Sequence, residues 1–219
     1  MSWKNDQVTE GETAKILELA RQCLLVDGDF VEFGCYKGDT SLLLAEMLHR
    51  DAMLRQKMRC SVDAPLSASS SATPSSSPSI HAESISKRLL WIYDSFEGLP
   101  KKSAFDESVL GRDFRSGELF VTKREVKERF LRAGLPVPMI KKAWFSELTM
   151  SDLPERIAFA FLDGDFYESI RDSLKLVEPR MVEGGVLIVH DYTNIALPGV
   201  RKAVDEWGVS GRQFCVVLL

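Results

Sequence analysis

Residues 28–49 read GDFVEFGCYKGDTSLLLAEMLH, and this stretch predicts how the fold begins. A short apolar strand over 30–33 leads into a turn from Gly34 to Gly38, and an apolar helix follows from Thr40. Because glycine accepts positive φ and has no Cβ, such a turn lets a ligand lie against the backbone. The N–H groups that begin the helix favour polar or anionic ligand groups. By itself the Gly-x-x-x-Gly spacing also fits an ordinary turn.

The composition predicts one α/β domain over residues 1–219. The chain is 45% hydrophobic and 27% charged, which suits a single domain with a large core. A net charge of −4 gives no reason to expect nucleic acid or a membrane surface as a partner. No apolar run approaches the roughly 20 residues that span a bilayer, and the polar N-terminus does not resemble a signal peptide. With no Cys-x-x-Cys pair among the four cysteines, reduced thiols and a cytoplasmic location are expected.

Strands and helices alternate along the chain. Apolar strands are predicted at 30–33, 89–93, 137–140, 157–163, 184–191 and 213–219. Helices are predicted at 9–25, 40–59, 122–133, 167–180 and 198–207. Thr9 with Glu12, and Thr122 with Glu125, have the spacing of capping boxes and support two of the helix starts. This order predicts a Rossmann-like, doubly wound and mostly parallel sheet.

Two segments do not fit this alternation. Residues 61–87 consist largely of serine, proline and alanine, which cannot offset the entropy of ordering the chain. We therefore predict a disordered surface insert there. Residues 100–118 form a long polar loop, which in a compact domain is either a lid, a binding loop or a mobile connection.

Polar side chains close four of the predicted strands. They are Glu32, Asp94, Asp163 with Asp165, and His190 with Asp191. Because the carboxyl ends of parallel strands share one edge, these groups are expected to meet. Side chains alternate along an extended backbone, which would place Asp163 and Asp165 on one side. Together with Asp191 they form an oxygen-rich cluster suited to a hard cation such as Mg²⁺.

Structural roles are open for the same residues. Asp165 could cap the following helix, while Asp163 accepts backbone hydrogen bonds. Asp94 is placed either to accept hydrogen bonds from ribose hydroxyls or to close an Asx turn. Trp144 and Phe145 could stack on an adenine or fill the core.

Seven motifs occur in an order typical of one known family. They are VEFGCYKGDTS, YDSFEGLP, FRSGELF, KKAWFSEL, FLDGDFYESIRDSL, GGVLIVHDY and PGVRKAVDEW. From about residue 10 to residue 207, outside the insert, the chain resembles the macrocin O-methyltransferase (TylF-like) family. The resemblance implies a class I methyltransferase that uses S-adenosylmethionine and Mg²⁺ or another divalent cation. Its implied partner is a hydroxylated small molecule such as a sugar, and a homo-oligomer is left open.

The resemblance also implies residue roles. The methionine part of the cofactor would be held by Glu32, Gly34, Tyr36, Gly38 and Thr40. Asp94 would bind the ribose, and Trp144 and Phe145 would lie beside the adenine. The metal site would comprise Asp163, His190 and Asp191, with Asp163 and Asp165 catalytic and Asp165 the general base.

Three departures from the family pattern bear on these roles. His190 stands where many relatives have aspartate, so it either weakens Mg²⁺ binding or lies outside the coordination sphere. Gly38-Asp39-Thr40 replaces Gly-Gly-Ser. The family continues beyond the position of Leu219 into an antiparallel strand, so a truncated chain with an exposed sheet edge is expected.

Two other functional classes compete with an O-methyltransferase. A non-catalytic relative could keep the pocket and serve as an S-adenosylmethionine-binding or interaction module. An NAD-dependent oxidoreductase is disfavoured, because the glycine turn lacks the Gly-x-Gly-x-x-Gly pattern of dinucleotide enzymes.

Overall fold

The structure, a computed structural model, describes residues 7–62, 88–110, 114–209 and 211–219. The strands are β1 (Asp29–Phe33), β2 (Leu90–Asp94), β3 (Met139–Lys142), β4 (Ile157–Leu162), β5 (Met181–Val189) and β6 (Cys215–Leu218). The helices are α1 (Glu10–Gln22), α2 (Asp39–Val62), α3 (Lys123–Arg132), α4 (Tyr167–Val177) and α5 (Pro198–Trp207). Short 3₁₀ helices span Cys23–Leu25, Phe145–Glu147, Met150–Asp152 and Glu178–Arg180.

The six strands form one sheet in the order β3-β2-β1-β4-β5-β6, and every neighbouring pair is parallel. The strand order reverses between β1 and β4, which is where open α/β sheets bind their ligands. The predicted Rossmann-like, doubly wound sheet is therefore confirmed. Within the described ranges no strand pairs antiparallel, and β3 and β6 are the two outer strands.

Both faces of the sheet are covered. Every residue of β4 is buried, as expected of a central parallel strand. Phe159 packs in the core beneath α1, α2 and α3, whereas its neighbour Ala160 packs in the core beneath α4 and α5. Both predicted capping boxes are present, so the starts of α1 and α3 are set by their own sequences. None of the described helices is both long and apolar enough to cross a bilayer.

Some predicted boundaries differ from the structure. The helix predicted over 40–59 continues to Val62, so the first two residues of the predicted insert are helical. The rest of that predicted disordered insert lies outside the described residues. β5 begins at Met181, three residues earlier than predicted, and ends at Val189, so His190 and Asp191 follow the strand.

Candidate active site

A cavity of about 230 Å³ opens at the carboxyl edge of the sheet, where the strand order reverses. Every predicted site residue except Gly38 lines it, namely Glu32, Gly34, Tyr36, Thr40, Asp94, Trp144, Phe145, Asp163, Asp165, His190 and Asp191. Gly38 instead closes the turn, because its N–H donates to the carbonyl of Cys35 at 2.7 Å. The fold thus brings together residues from the ends of five strands that are far apart in sequence.

Gly34 is required by a close approach of two chain segments. It has a φ of +85°, and a Cβ at this position would lie 1.9 Å from the carbonyl oxygen of Asp163. The two strand ends are joined there, since the N–H of Asp163 donates to the carbonyl of Phe33 at 2.8 Å. The glycine turn and Asp163 therefore form one continuous wall of the cavity.

Asp94 holds the glycine turn in shape. Its Oδ2 accepts hydrogen bonds from the backbone N–H of Cys35 at 2.9 Å and of Tyr36 at 3.3 Å. Its Oδ1 accepts from the N–H of Phe96 at 2.7 Å, which is the Asx turn that the sequence left open. Oδ1 can accept a further hydrogen bond, whereas Oδ2 already accepts two. Asp94 also lines the cavity, so a role in binding ribose stays a prediction.

Glu32 places a carboxyl group at the base of the cavity. Its side chain is buried and accepts a hydrogen bond from the hydroxyl of Ser41 in the first turns of α2. Burial raises the pKa of Glu32 to about 8, and the negative charges of Asp163 and Asp94 act in the same direction. Glu32 therefore carries a proton over much of the acidic and neutral range.

This shift predicts a pH-dependent stability. Between about pH 5 and pH 8 the folded protein keeps a proton on Glu32 that the unfolded chain releases near its ordinary pKa of 4.5. The free energy of unfolding should therefore fall as pH rises, by up to about 1.4 kcal/mol per pH unit from this group. Glu32→Gln cannot release a proton and should lack this component. Urea unfolding at several pH values measures it, and identical pH slopes for both proteins would contradict it.

His190 joins the two carboxylates that the sequence placed at the metal site. Its buried ring has Nδ1 3.0 Å from Oδ1 of Asp163 and 3.0 Å from Oδ2 of Asp191. One donor atom from each residue lies within 4.8 Å of the other two. A ring nitrogen and two carboxylate oxygens are a donor set that fits a divalent cation.

The same contacts set the charges of this group. Burial disfavours the imidazolium, but the carboxylates of Asp163 and Asp191 outweigh it and raise the pKa of His190 to about 11. Burial also disfavours ionised Asp191, yet His190 and Asn194 lower the pKa of that carboxyl. These contacts therefore favour an imidazolium paired with an ionised Asp191, whereas burial raises the pKa of Asp163 although His190 acts in the opposite direction.

Asp165 lines the cavity, but its backbone conformation differs from the one that the sequence predicted. Its φ is +59°, so it lies in a turn, and the argument from an alternating extended backbone is wrong for this residue. Asp165 also does not cap α4, because the N-cap residue is Phe166. The Asp165 carboxyl makes no hydrogen bond within the described part of the chain. Burial raises its pKa well above the usual range, as do the charges of Asp163 and Asp191.

The two aromatic residues predicted beside an adenine have mixed surroundings. Trp144 and Phe145 are both half-buried and both line the cavity. Phe145 also packs edge-on against Phe33 with the ring centroids 5.1 Å apart. It therefore contributes to the core and to the cavity wall together.

Residues 76–211 match the family model of macrocin O-methyltransferase (TylF). The chain belongs to this family. It is 29% identical over 188 residues to the 8-demethyl-8-(2,3-dimethoxy-alpha-L-rhamnosyl)-tetracenomycin-C 4'-O-methyltransferase of Streptomyces olivaceus, covering 83% of this chain and 58% of that protein. It is 26% identical over 204 residues to the demethyldecarbamoylnovobiocin O-methyltransferase of Streptomyces niveus, covering 88% and 65%.

The mycinamicin III 3''-O-methyltransferase of Micromonospora griseorubida is 32% identical over 136 residues, covering 58% of this chain and 52% of that protein. Among solved structures, that of the O-methyltransferase NovP is similar with a TM-score of 0.65 and 25% identity, over 89% of this chain and 69% of NovP. The calicheamicin methyltransferase CalS11 shares the fold with a TM-score of 0.59 at 19% identity, over 91% and 72%. This TylF-family chain spans roughly half to two thirds of the length of its curated relatives.

Sequence reasoning missed Asp106, which lies in the long loop of this TylF-family chain. The side chain is buried, and its Oδ1 accepts the backbone N–H of Tyr167 at 2.7 Å at the start of α4. Its Oδ2 accepts from the N–H and the hydroxyl of Ser103 at 2.8 and 2.6 Å. A Cβ on Gly199 would lie 1.8 Å from Oδ1, so the backbone of α5 packs directly against the Asp106 carboxylate. The only sequence signal was the Ser-x-x-Asp spacing, which does not reveal the two helices.

The start of α1 also belongs to the site, which the sequence did not indicate. Gln7 and Val8 line the cavity, and Oε2 of Glu12 lies 3.7 Å from Nε2 of His190. Glu12 was predicted as a capping residue, and it has that role as well, since it accepts from the N–H of Thr9 at 2.9 Å. The capping box therefore fixes a carboxylate on the far side of the His190 ring.

Proposed function

We propose that this chain carries the site of an S-adenosylmethionine-dependent O-methyltransferase, assisted by a divalent cation and acting on a hydroxyl of a small molecule such as a sugar. One observation carries the proposal. The glycine turn, a ribose-side carboxylate and the Asp163–His190–Asp191 group all line one cavity at the switch point of the sheet. The names of the curated relatives, which are O-methyltransferases of rhamnosyl-tetracenomycin, novobiocin and mycinamicin type molecules, support this acceptor class.

The residues around the glycine turn suit the methyl donor. Glu32 offers a carboxyl to the α-ammonium group of S-adenosylmethionine, and the N-terminus of α2 offers N–H groups to its carboxylate. Asp94 is available to the ribose hydroxyls, and Trp144 offers a half-buried ring for the adenine. S-adenosylmethionine supplies a methyl group on a sulfonium, and the protein orients it.

The Asp163–His190–Asp191 group, which adjoins the glycine turn, suits the acceptor. Asp163, His190 and Asp191 would hold the cation, whose positive charge would favour loss of the proton from an acceptor hydroxyl. Asp165 has no hydrogen-bond partner in the described residues. A cation beside it would offset the burial and the neighbouring negative charges that raise its pKa, so its carboxylate would be available to take the proton of that hydroxyl. Holding the oxygen in line with the methyl group provides much of the acceleration. The site therefore has separate residues for the donor, the acceptor and the proton.

Calorimetry and mass spectrometry test this proposal. We expect saturable binding of S-adenosylmethionine to the full chain. We also expect transfer of an isotopically labelled methyl group to an acceptor in an extract of the source cells, and its loss when EDTA is added. Absence of binding at millimolar cofactor would overturn the proposal. Binding without transfer to any hydroxylated acceptor would favour the non-catalytic class instead.

A further inference from the structure

We propose that His190 binds the cation through Nδ1, with Glu12 as the carboxylate behind Nε2, so that the site selects a first-row transition metal over Mg²⁺. The inference rests on the proposed function for the existence of a cation site. It goes further in naming the ligating nitrogen, a positioning residue on α1 and the class of metal.

The distances suit ligation by Nδ1. This atom is 3.0 Å from an oxygen of Asp163 and 3.0 Å from an oxygen of Asp191. Two neighbouring ligands at right angles around an ion, each bonded at about 2.1 Å, lie about 3 Å apart. The ring is buried and lies edge-on to Phe161, with centroids 6.0 Å apart, so it is held beside the carboxylates. A cation that uses both carboxylates therefore meets the imidazole nitrogen as well.

Glu12 supplies the second feature of a ligating histidine. A histidine that binds metal through Nδ1 carries its proton on Nε2, and this N–H is usually directed to a carboxylate or carbonyl. Oε2 of Glu12 is 3.7 Å from Nε2, within ion-pair distance. The same oxygen accepts from the hydroxyl of Thr9 at 2.7 Å, so the capping box keeps it in position. Glu12 thus favours the tautomer that leaves Nδ1 open to a metal.

The donor set then decides the class of cation. Mg²⁺ prefers oxygen ligands and keeps several waters, so it gains little from an imidazole. Divalent metals of the first transition series bind imidazole well, and their affinity rises from Mn²⁺ towards Cu²⁺. With one nitrogen and two carboxylates, the site should bind Co²⁺ more tightly than Mg²⁺.

Co²⁺ titration of the EDTA-treated full chain, with Mg²⁺ as competitor, tests the inference. We expect Co²⁺ to bind at least about tenfold more tightly than Mg²⁺. Proton NMR of the Co²⁺ form should show a hyperfine-shifted, exchangeable imidazole N–H. In His190→Asp, which replaces the nitrogen by oxygen, the ratio of the two affinities should fall by about tenfold or more and the shifted N–H should be absent.

Glu12 has a matched control in this chain. Glu125 forms the same capping box at the start of α3 and lies outside the cavity lining. Glu12→Gln should weaken Co²⁺ binding by about tenfold, whereas Glu125→Gln should leave it unchanged although it also loses a capping carboxylate. This comparison remains decisive if His190→Asp does not fold.

The outcomes separate this inference from the proposed function. Equal affinity for Co²⁺ and Mg²⁺, or equal effects of Glu12→Gln and Glu125→Gln, would overturn the inference while the cation site stands. If neither metal binds to a protein that still binds S-adenosylmethionine, the cation role in the proposed function is overturned too. The inference is supported if Co²⁺ binds with a hyperfine-shifted N–H and if Glu12→Gln weakens that binding.

Discussion

Gly34→Ala is expected to abolish S-adenosylmethionine binding and to lower the free energy of unfolding by about 3 kcal/mol or more. The new Cβ would lie 1.9 Å from the carbonyl oxygen of Asp163, and backbone atoms cannot move aside as a flexible side chain can. Relief of this clash requires β1 and β4 to separate at their carboxyl ends. That movement would displace both the glycine turn and Asp163. Denaturant unfolding and calorimetry measure the two effects.

Gly117→Ala is the matched control for this substitution. Gly117 has a φ of +86°, almost equal to that of Gly34, but a Cβ there would have no atom within 4 Å. Alanine at this position therefore has only the backbone strain of a positive φ, which costs about 1–2 kcal/mol. Equal destabilisation by the two variants would show that conformation, and not the close approach to Asp163, requires glycine at position 34.

Asp165→Asn is expected to slow methyl transfer by about 10²- to 10⁴-fold while S-adenosylmethionine still binds. Asparagine has nearly the same shape but cannot take the proton of the acceptor hydroxyl. It also tolerates positive φ as well as aspartate does, so the +59° backbone at this position should be preserved. Single-turnover assays with the acceptor found by isotopic labelling measure the rate.

Glu168→Gln is the control for Asp165→Asn. It removes a negative charge from the first turn of α4, but the side chain is exposed and does not line the cavity. Its rate should stay close to that of the wild type. A rate for Asp165→Asn within a few-fold of this control would remove Asp165 from the role of general base.

Much of the fold could be predicted because its signals are local. The run Ile157–Leu162 is apolar throughout, which indicates a strand buried on both faces, and it is β4. Thr9 and Thr122 each have a glutamate three residues later, and both helices begin there. Alternation of such elements implied a parallel sheet, which in turn implied that polar strand ends share one edge. That topological rule is why Asp94, Asp163 and Asp191 could be placed together.

Other features depend on contacts between distant parts of the chain. The sequence alone determined which segments form strands and helices, that the strands run mostly parallel, and which polar residues meet at one edge of the sheet. Only the tertiary structure decided that Glu12 lies behind His190, that Asp106 caps α4 from a remote loop and that Asp165 enters the cavity from a turn. Periodicity and capping depend on residues within one or two turns of each other, so they can be read along the chain. The distances between those three groups and their neighbours depend on how helices and loops pack on the sheet, and no local pattern encodes that packing.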